Sequence, residues 1–110
     1  MDTDAVFRAL ADPSRRKLLD RLRESNGQNL GDLCVGLDMT RQAVTKHLHL
    51  LERANLVITI KCGRDKLHYL NPIPIHQIAD RWIAKYERFR LRALNELKKS
   101  LEEKERRSNG

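Results

Sequence analysis

The chain has 110 residues, 22 Lys and Arg against 15 Asp and Glu for a formal charge of +7, and only 5 % aromatic residues within a 40 % apolar content. That length suits one domain and excludes two of ordinary size, and so small a domain gains from sharing a core with a second copy. No stretch reaches the roughly 20 apolar residues of a bilayer span, the acidic start Met1-Asp2-Thr3-Asp4 is unlike a secretory leader, and Cys34 and Cys62 make neither a disulfide framework nor a CxxC site. A cytoplasmic protein with no membrane span is therefore expected, and its charge favours an anionic partner, nucleic acid or a membrane surface.

Val6, Phe7, Leu10 and Ala11 carry the spacing of a short amphipathic helix that stops at Asp12-Pro13. Asp12 predicts the N-cap, and Pro13 the first residue, of a second helix. Its Leu18, Leu19 and Leu22 face inward, and Arg15, Arg16, Lys17, Arg21 and Arg23 are expected in solvent. Ser25-Asn26-Gly27-Gln28-Asn29 reads as a loop. Leu30, Leu33, Cys34 and Leu37 then fall at i, i+3, i+4, i+7, one face of a short third helix. Asp38-Met39 forms a tight turn, and Thr40 caps a fourth helix whose Val44, Leu48 and Leu51 point into the core. Two short helices joined by about three residues have the spacing of a helix-turn-helix.

The period then changes from helical to alternating. Leu56-Val57-Ile58-Thr59-Ile60 and Lys66-Leu67-His68-Tyr69-Leu70 predict two strands joined by a Cys62-Gly63-Arg64-Asp65 turn and ended by Asn71-Pro72. A hairpin straight after a helix-turn-helix is a wing. The remainder predicts one helix over about 75–103, some 40 Å long at about 1.5 Å per residue. Ile75, Ile78, Ala79, Trp82, Ile83, Tyr86, Phe89, Ala93, Leu94, Leu97 and Leu101 form its apolar stripe. The stripe runs past what so small a domain could cover. A partner subunit is the economical cover, with Val6, Phe7, Ile78, Trp82, Tyr86 and Phe89 as the expected interface. Residues 104–110 are expected to be a disordered tail. The expected fold is mainly α with a small β-hairpin, a winged helix-turn-helix in the order α-α-α-α-β-β-α. It forms a single domain over residues 1–103 that ends in the long dimerisation helix.

With Val44, Leu48 and Leu51 inward, Gln42, Thr45, Lys46, His49 and Arg53 fall on the opposite face of the fourth helix, with Arg41 at its N-terminal edge. No acid occurs between Asp38 and Glu52, so that face keeps the donors a DNA major groove asks for. Arg and Lys can donate to guanine, Gln can pair with adenine, and Thr can touch a base edge or a phosphate. The N-terminal half of a recognition helix usually enters the groove, which assigns base contacts to Arg41, Gln42, Thr45 and Lys46, beside Thr40. His49 lies further along, toward phosphates. Lys61, Arg64 and Lys66 gather at the wing tip, within reach of phosphates or the minor groove.

The runs Ala9-Leu10-Ala11-Asp12-Pro13-Ser14-Arg15-Arg16, Thr40-Arg41-Gln42-Ala43-Val44-Thr45-Lys46-His47-Leu48, and Gly63-Arg64 through Tyr69-Leu70-Asn71-Pro72 resemble the ArsR/SmtB family of winged-helix repressors. The resemblance covers residues 4–100, with the three blocks in the family's order and spacing. It implies a homodimer joined through its first and last helices that binds an inverted repeat in double-stranded DNA and represses transcription. Asn55 departs from it, standing where many members have Gly, so a small shift in wing geometry is expected.

Many members of that family release DNA on binding a metal. In register, the cysteines of the metal box would fall at Asn29 and Gly31, neither a thiolate. Cys34 instead shares the apolar stripe of the third helix and packs as a small hydrophobe. Cys62 sits in the wing turn, far along the fold from Cys34, and a disulfide needs Cα atoms within about 7 Å. His76 and Asp80 stand at i, i+4 in a helix with no second His, short of the four ligands of a closed zinc site; His47 and His68 read as hydrogen-bonded structural residues. The expectation is a repressor without a metal site or cofactor, and no residue pattern identifies a small-molecule effector. A metal or thiol-oxidant sensor and a winged-helix protein-docking module are the alternatives. No positioned nucleophile, phosphate loop or carboxylate cluster suggests an enzyme.

Overall fold

A computed structural model describes residues 2–109, and the side chains of residues 2–107. The elements run α1 (Thr3–Leu10), α2 (Pro13–Glu24), α3 (Leu30–Cys34), α4 (Arg41–Arg53), β1 (Val57–Cys62), β2 (Asp65–Leu70) and α5 (Ile73–Asn109). This is the expected order of a winged helix-turn-helix. The chain falls into two compact units, one ending at His76 and the other starting at Gln77.

In the first unit each helix begins where a short polar side chain can take up an unpaired amide. Asp2 accepts from the Ala5 amide at 3.1 Å, Asp12 from the Ser14 amide at 2.7 Å, and Thr40 from the Ala43 amide at 3.1 Å. Asn29 and Asp32 close a reciprocal capping box on α3. The helices then bury one face each: Val6 and Ala9 from α1, Leu18, Leu19 and Leu22 from α2, Leu33 from α3, and Val44, Leu48 and Leu51 from α4. Leu56 and Val57 carry the core into the first strand.

Three expectations need correction here. Val6 is 0 % exposed within its own chain, so it fills the core and has no surface to offer a partner; the neighbouring Phe7, 43 % exposed, does. The third helix stops at Cys34, because Val35 turns extended and Gly36 takes a φ of 74°. Leu37 therefore lies beyond the helix and does not continue its face, while Cys34, the last residue of α3, is half-buried on it. Three of the α2 arginines are not simply solvating. The Arg15 side chain, 12 % exposed, donates from Nε to the Ala9 carbonyl at 2.8 Å and from Nη2 to the Arg8 carbonyl at 2.9 Å. Arg16 reaches the Leu10 carbonyl at 2.7 Å, and Arg21 the Leu33 carbonyl at 3.1 Å. These carbonyls lie at the ends of α1 and α3, where the last backbone acceptors of a helix lack intrahelical partners; the Arg8 carbonyl also accepts from the Ala11 amide at 3.3 Å.

α4 ends in a Schellman turn. Asn55 adopts a φ of 61°, its amide donates to the Glu52 carbonyl at 2.9 Å, and the Leu56 amide donates to the Leu51 carbonyl at 2.9 Å. Asn is one of the few non-glycine residues that tolerates this conformation, so the departure from the family's Gly keeps the turn. The antiparallel hairpin pairs Val57 with Leu70 through Cys62 with Asp65. Gly63, with a φ of 62°, opens the two-residue turn, the first position of which favours Gly. At the root, Asn71 is buried and joins both sides: its amide donates to the Leu56 carbonyl and its side chain to the Asn55 carbonyl, each at 2.8 Å.

The second unit is helical over its described residues. α5 starts two residues before the expected 75 and runs to Asn109, so the stretch expected to be disordered from 104 is helical as far as Asn109; Gly110 lies outside the described residues. Glu, Lys and Arg dominate residues 98–107, and these are good helix formers whose opposite charges at i, i+4 add a few tenths of a kcal/mol per pair, about 0.3–0.5. No described helix is long and apolar enough to cross a membrane.

Candidate nucleic-acid interface

Capping and burial together decide which face of α4 is free. Thr40 starts the helix, Val44, Leu48 and Leu51 hold its inner face at or below 4 % exposure, and Arg41, Gln42, Lys46 and His49 are left exposed. Thr40, Arg41, Gln42, Thr45 and Lys46 line one open concavity together with Leu30 of α3. A second groove, of about 700 Å³, runs between α4 and the hairpin. Arg41, Thr45 and His49 line it from the helix, and Lys61, Arg64 and Lys66 from the wing. All nine residues predicted to face DNA therefore line two adjoining concavities that meet at Arg41 and Thr45.

Local hydrogen bonds refine what each can do. The Thr40 hydroxyl oxygen is used as an acceptor by the cap, which leaves its O–H free to donate to a phosphate. The Thr45 hydroxyl donates to the Arg41 carbonyl at 2.9 Å, the usual back-bond of a helical Thr, so its methyl is the group left for a base. The side chains of Arg41, Gln42 and Lys46 make no hydrogen bond among the described residues, and their donors are unspent.

Several contributors were not legible as site residues. Glu52 and Asp65 put two carboxylates into the groove beside the cations. Glu52 Oε1 accepts from the Thr59 hydroxyl at 2.6 Å, and its Oε2 lies 3.7 Å from His49 Nδ1. His68, buried to 5 % exposure, directs Nδ1 at the Gln28 carbonyl at 2.9 Å. A carbonyl can only accept, so Nδ1 carries a proton. His47 Nδ1 lies 3.4 Å from Arg15 Nη1, behind the recognition face. Both histidines are thus the hydrogen-bonded structural residues expected of them. At the start of α2, burial alone would raise the Asp12 carboxyl, but the Ser14 and Arg15 amides and the charges of Arg15 and His47 outweigh it and hold the group below its ordinary 3.8.

Cys62 is exposed at the wing tip and Cys34 half-buried in α3. Among the described residues no cluster of three His, Cys, Asp or Glu has an arrangement that could hold a metal ion.

Comparison with known proteins places this geometry. A family described as a helix-turn-helix domain matches residues 10–60, the stretch from the end of α1 into the first strand. The chain is 38 % identical to YuzN, an uncharacterized HTH-type transcriptional regulator of Bacillus subtilis (strain 168), over 73 % of this chain and 94 % of YuzN. It is 30 % identical to the transcriptional repressor SdpR of the same organism, over 60 % of this chain and 72 % of SdpR. Among solved structures, an ArsR-like transcriptional regulator from Rhodococcus sp. RHA1 superposes with a TM-score of 0.72 at 31 % identity, covering 86 % of this chain and 91 % of that one. Proteins of this kind are DNA-binding regulators and not enzymes, and the chain belongs to the ArsR family of winged helix-turn-helix transcriptional regulators.

Proposed function

We propose that the protein is a repressor that binds an inverted repeat in duplex DNA as a homodimer, in the cytoplasm and without a metal cofactor. One observation carries the reading: the unspent donors of Arg41, Gln42 and Lys46 share a continuous surface with Lys61, Arg64 and Lys66 of the wing. Arg41, Gln42 and Lys46 read base edges, with the Thr45 methyl beside them. Thr40, His49 and the wing cations contact phosphate or the minor groove, adding affinity and salt dependence rather than sequence choice.

The dimer rests on α5. Trp82, Tyr86 and Phe89 are all more than 60 % exposed, and Ile83, Leu94, Leu97 and Leu101 lie along the same helix with more than half their surface open. An apolar stripe of that extent marks an interaction surface. A second copy covers it symmetrically, with the half-buried Ile78 at its margin, and the exposed Phe7 of α1 is assigned to the dimer interface as well. Two recognition helices related by a two-fold axis then require half-sites about 34–36 Å apart, one turn of duplex, or a multiple of that. The metal-free reading rests on Asn29 and Gly31 at the positions of the box cysteines, and on the Asn29 side chain being spent as the cap of α3.

Selection from random duplex DNA, with and without Zn(II) and a thiol oxidant, tests the whole reading. Enrichment of an inverted repeat, indifferent to both additions, is the expected result. Enrichment of a single half-site would remove the dimer, and loss of binding with zinc or oxidant would turn the protein into a sensor. No enrichment at all would shift the weight to protein docking.

A further inference from the structure

An isolated two-stranded hairpin is marginal in water, so a wing holds its angle only if its root is tied down. β2 is tied by backbone: the Gly27 amide donates to the His68 carbonyl and the His68 amide to the Gln28 carbonyl, each at 2.8 Å. The Asn26 side chain adds a bond from the Leu70 amide at 2.8 Å. β1 has no such backbone tie to α4. Among the described residues, the Thr59 hydroxyl on Glu52 Oε1 at 2.6 Å is the one hydrogen bond between that strand and the recognition helix.

We propose that Glu52 and Thr59 form a clasp that sets the wing at a fixed angle to the recognition helix, and so act as positioning residues for sequence-specific DNA binding. The proposal rests on the reading of α4 and the hairpin as the DNA-contacting surface. A carboxylate in a groove lined by Arg41, Lys61, Arg64 and Lys66 works against phosphate binding, so its presence calls for another task. Its orientation supplies one. The 2.6 Å separation is that of a short charge-assisted O–H···O⁻ bond, the strong kind. Thr59 also pairs across the hairpin with His68, whose ring Nδ1–H is held by Gln28. The clasp therefore fixes the strand opposite the point where β2 is already anchored. Leverage makes it consequential. Gly63 lies four residues beyond Thr59, about 13 Å at roughly 3.3 Å per residue, so a rotation of about 10° at Thr59 moves the wing tip by about 2 Å, enough to break a hydrogen bond.

Three variants separate positioning from charge. Thr59→Val removes the hydroxyl at nearly constant volume, Thr59→Ser restores it, and Glu52→Gln keeps a carbonyl acceptor while removing the negative charge. Each is titrated on the selected operator and on random duplex, and amide hydrogen exchange over residues 61–66 is followed without DNA. The expected result for Thr59→Val is a roughly fivefold fall in the operator-to-random affinity ratio, about the value of one net hydrogen bond. Faster exchange in the wing should accompany it, and both should recover in Thr59→Ser. Glu52→Gln should tighten both duplexes, because a negative charge leaves the groove. It should also lower the ratio and speed exchange in the wing by less than Thr59→Val does, because a neutral carbonyl still accepts from Thr59, though more weakly than a carboxylate. A Thr59→Val protein with unchanged ratio and unchanged exchange overturns the clasp. So does a Glu52→Gln protein that loses the ratio with normal exchange, since Glu52 would then read bases directly. A wild-type protein that selects no operator overturns the DNA reading instead, and with it the clasp's role in recognition.

Discussion

The two units of this chain solve the problem of apolar surface in opposite ways. Up to His76, caps start the helices, guanidinium groups of α2 close two helix ends, and the apolar side chains meet one another: Val6, Leu18, Leu22, Leu33, Val44, Leu51 and Leu56 are each 0 % exposed. Beyond Gln77, one helix carries large apolar side chains at helical spacing, and Trp82, Ile83, Tyr86, Phe89, Leu94, Leu97 and Leu101 all stay exposed. A short chain can complete one small core by itself and leave a second apolar face whose burial depends on association. The practical lesson is that one substitution type should give different signatures in the two places.

Leucine truncation is the sharpest way to break that contrast. Leu18→Ala should lower unfolding free energy by about 2–5 kcal/mol, read as a shift of the urea midpoint that does not depend on protein concentration. Leu97→Ala should leave the midpoint of a dilute, monomeric sample within about 0.5 kcal/mol and weaken self-association in sedimentation equilibrium. Equal, concentration-independent losses at both sites would mean that α5 is covered within its own chain. Next in size comes Arg15→Met, which keeps the stem but leaves the carbonyl of the buried Ala9 without its guanidinium partner. An unsatisfied buried acceptor of this kind costs about 1–3 kcal/mol. Circular dichroism melts of Arg15→Met and Arg15→Lys should both fall, the lysine variant less, because its single ammonium cannot span two carbonyls and His47 at once.

How far the sequence could be read follows from the range of each interaction. The starts of α2 and α4 were legible because a cap and its amide lie two or three residues apart: Asp12 to Ser14, Thr40 to Ala43. The apolar faces of α2 and α4 were legible from period alone. The role of Arg21 was not, since its acceptor Leu33 lies twelve residues away on an element whose placement is set by packing. Glu52 escaped notice as a site residue for the same reason. Its partner Thr59 is across the helix–strand turn, and only the hairpin's docking brings the two together. The end of α3 was misread because Leu37 continued an apolar spacing after Gly36 had already turned the backbone. The charged tail of α5 looked disordered by composition, where its helix propensity and alternating charge decided the matter.

Asp12 offers a smaller, pH-resolved test within the first unit. Its carboxyl is held below the ordinary 3.8, so the folded state favours the ionised form. That contribution is fully present above the ordinary carboxylate value and is lost as pH falls through the lowered folded value. Asp12→Asn keeps a good N-cap and deletes the charge, so the change at neutral pH should stay under about 1 kcal/mol. The gap between wild type and variant, followed by urea titration from neutral pH downward, should close below the ordinary 3.8. A gap that persists or widens in acid would mean that the cap geometry, and not the charge beside Arg15 and His47, carries the effect.

Asn55 gives the smallest expected change, and it separates conformation from family habit. The residue occupies the left-handed position that closes α4 and aims β1, and the Schellman bonds from Asn55 and Leu56 are both formed. Asn55→Gly relieves what strain an Asn feels there and adds chain entropy to the unfolded state. These oppose each other at about 0.5–1 kcal/mol apiece, so the net should lie within a few tenths, about 0.5 kcal/mol at most. Asn55→Ala has no such relief, since an alanine in this conformation costs roughly 1–2 kcal/mol. Its urea midpoint should drop while that of Asn55→Gly stays near wild type, with operator affinity unchanged in the glycine variant because the turn that sets the wing is the same. A glycine variant that binds differently would show that the Asn55 side chain, rather than the backbone it permits, helps to set where the wing points.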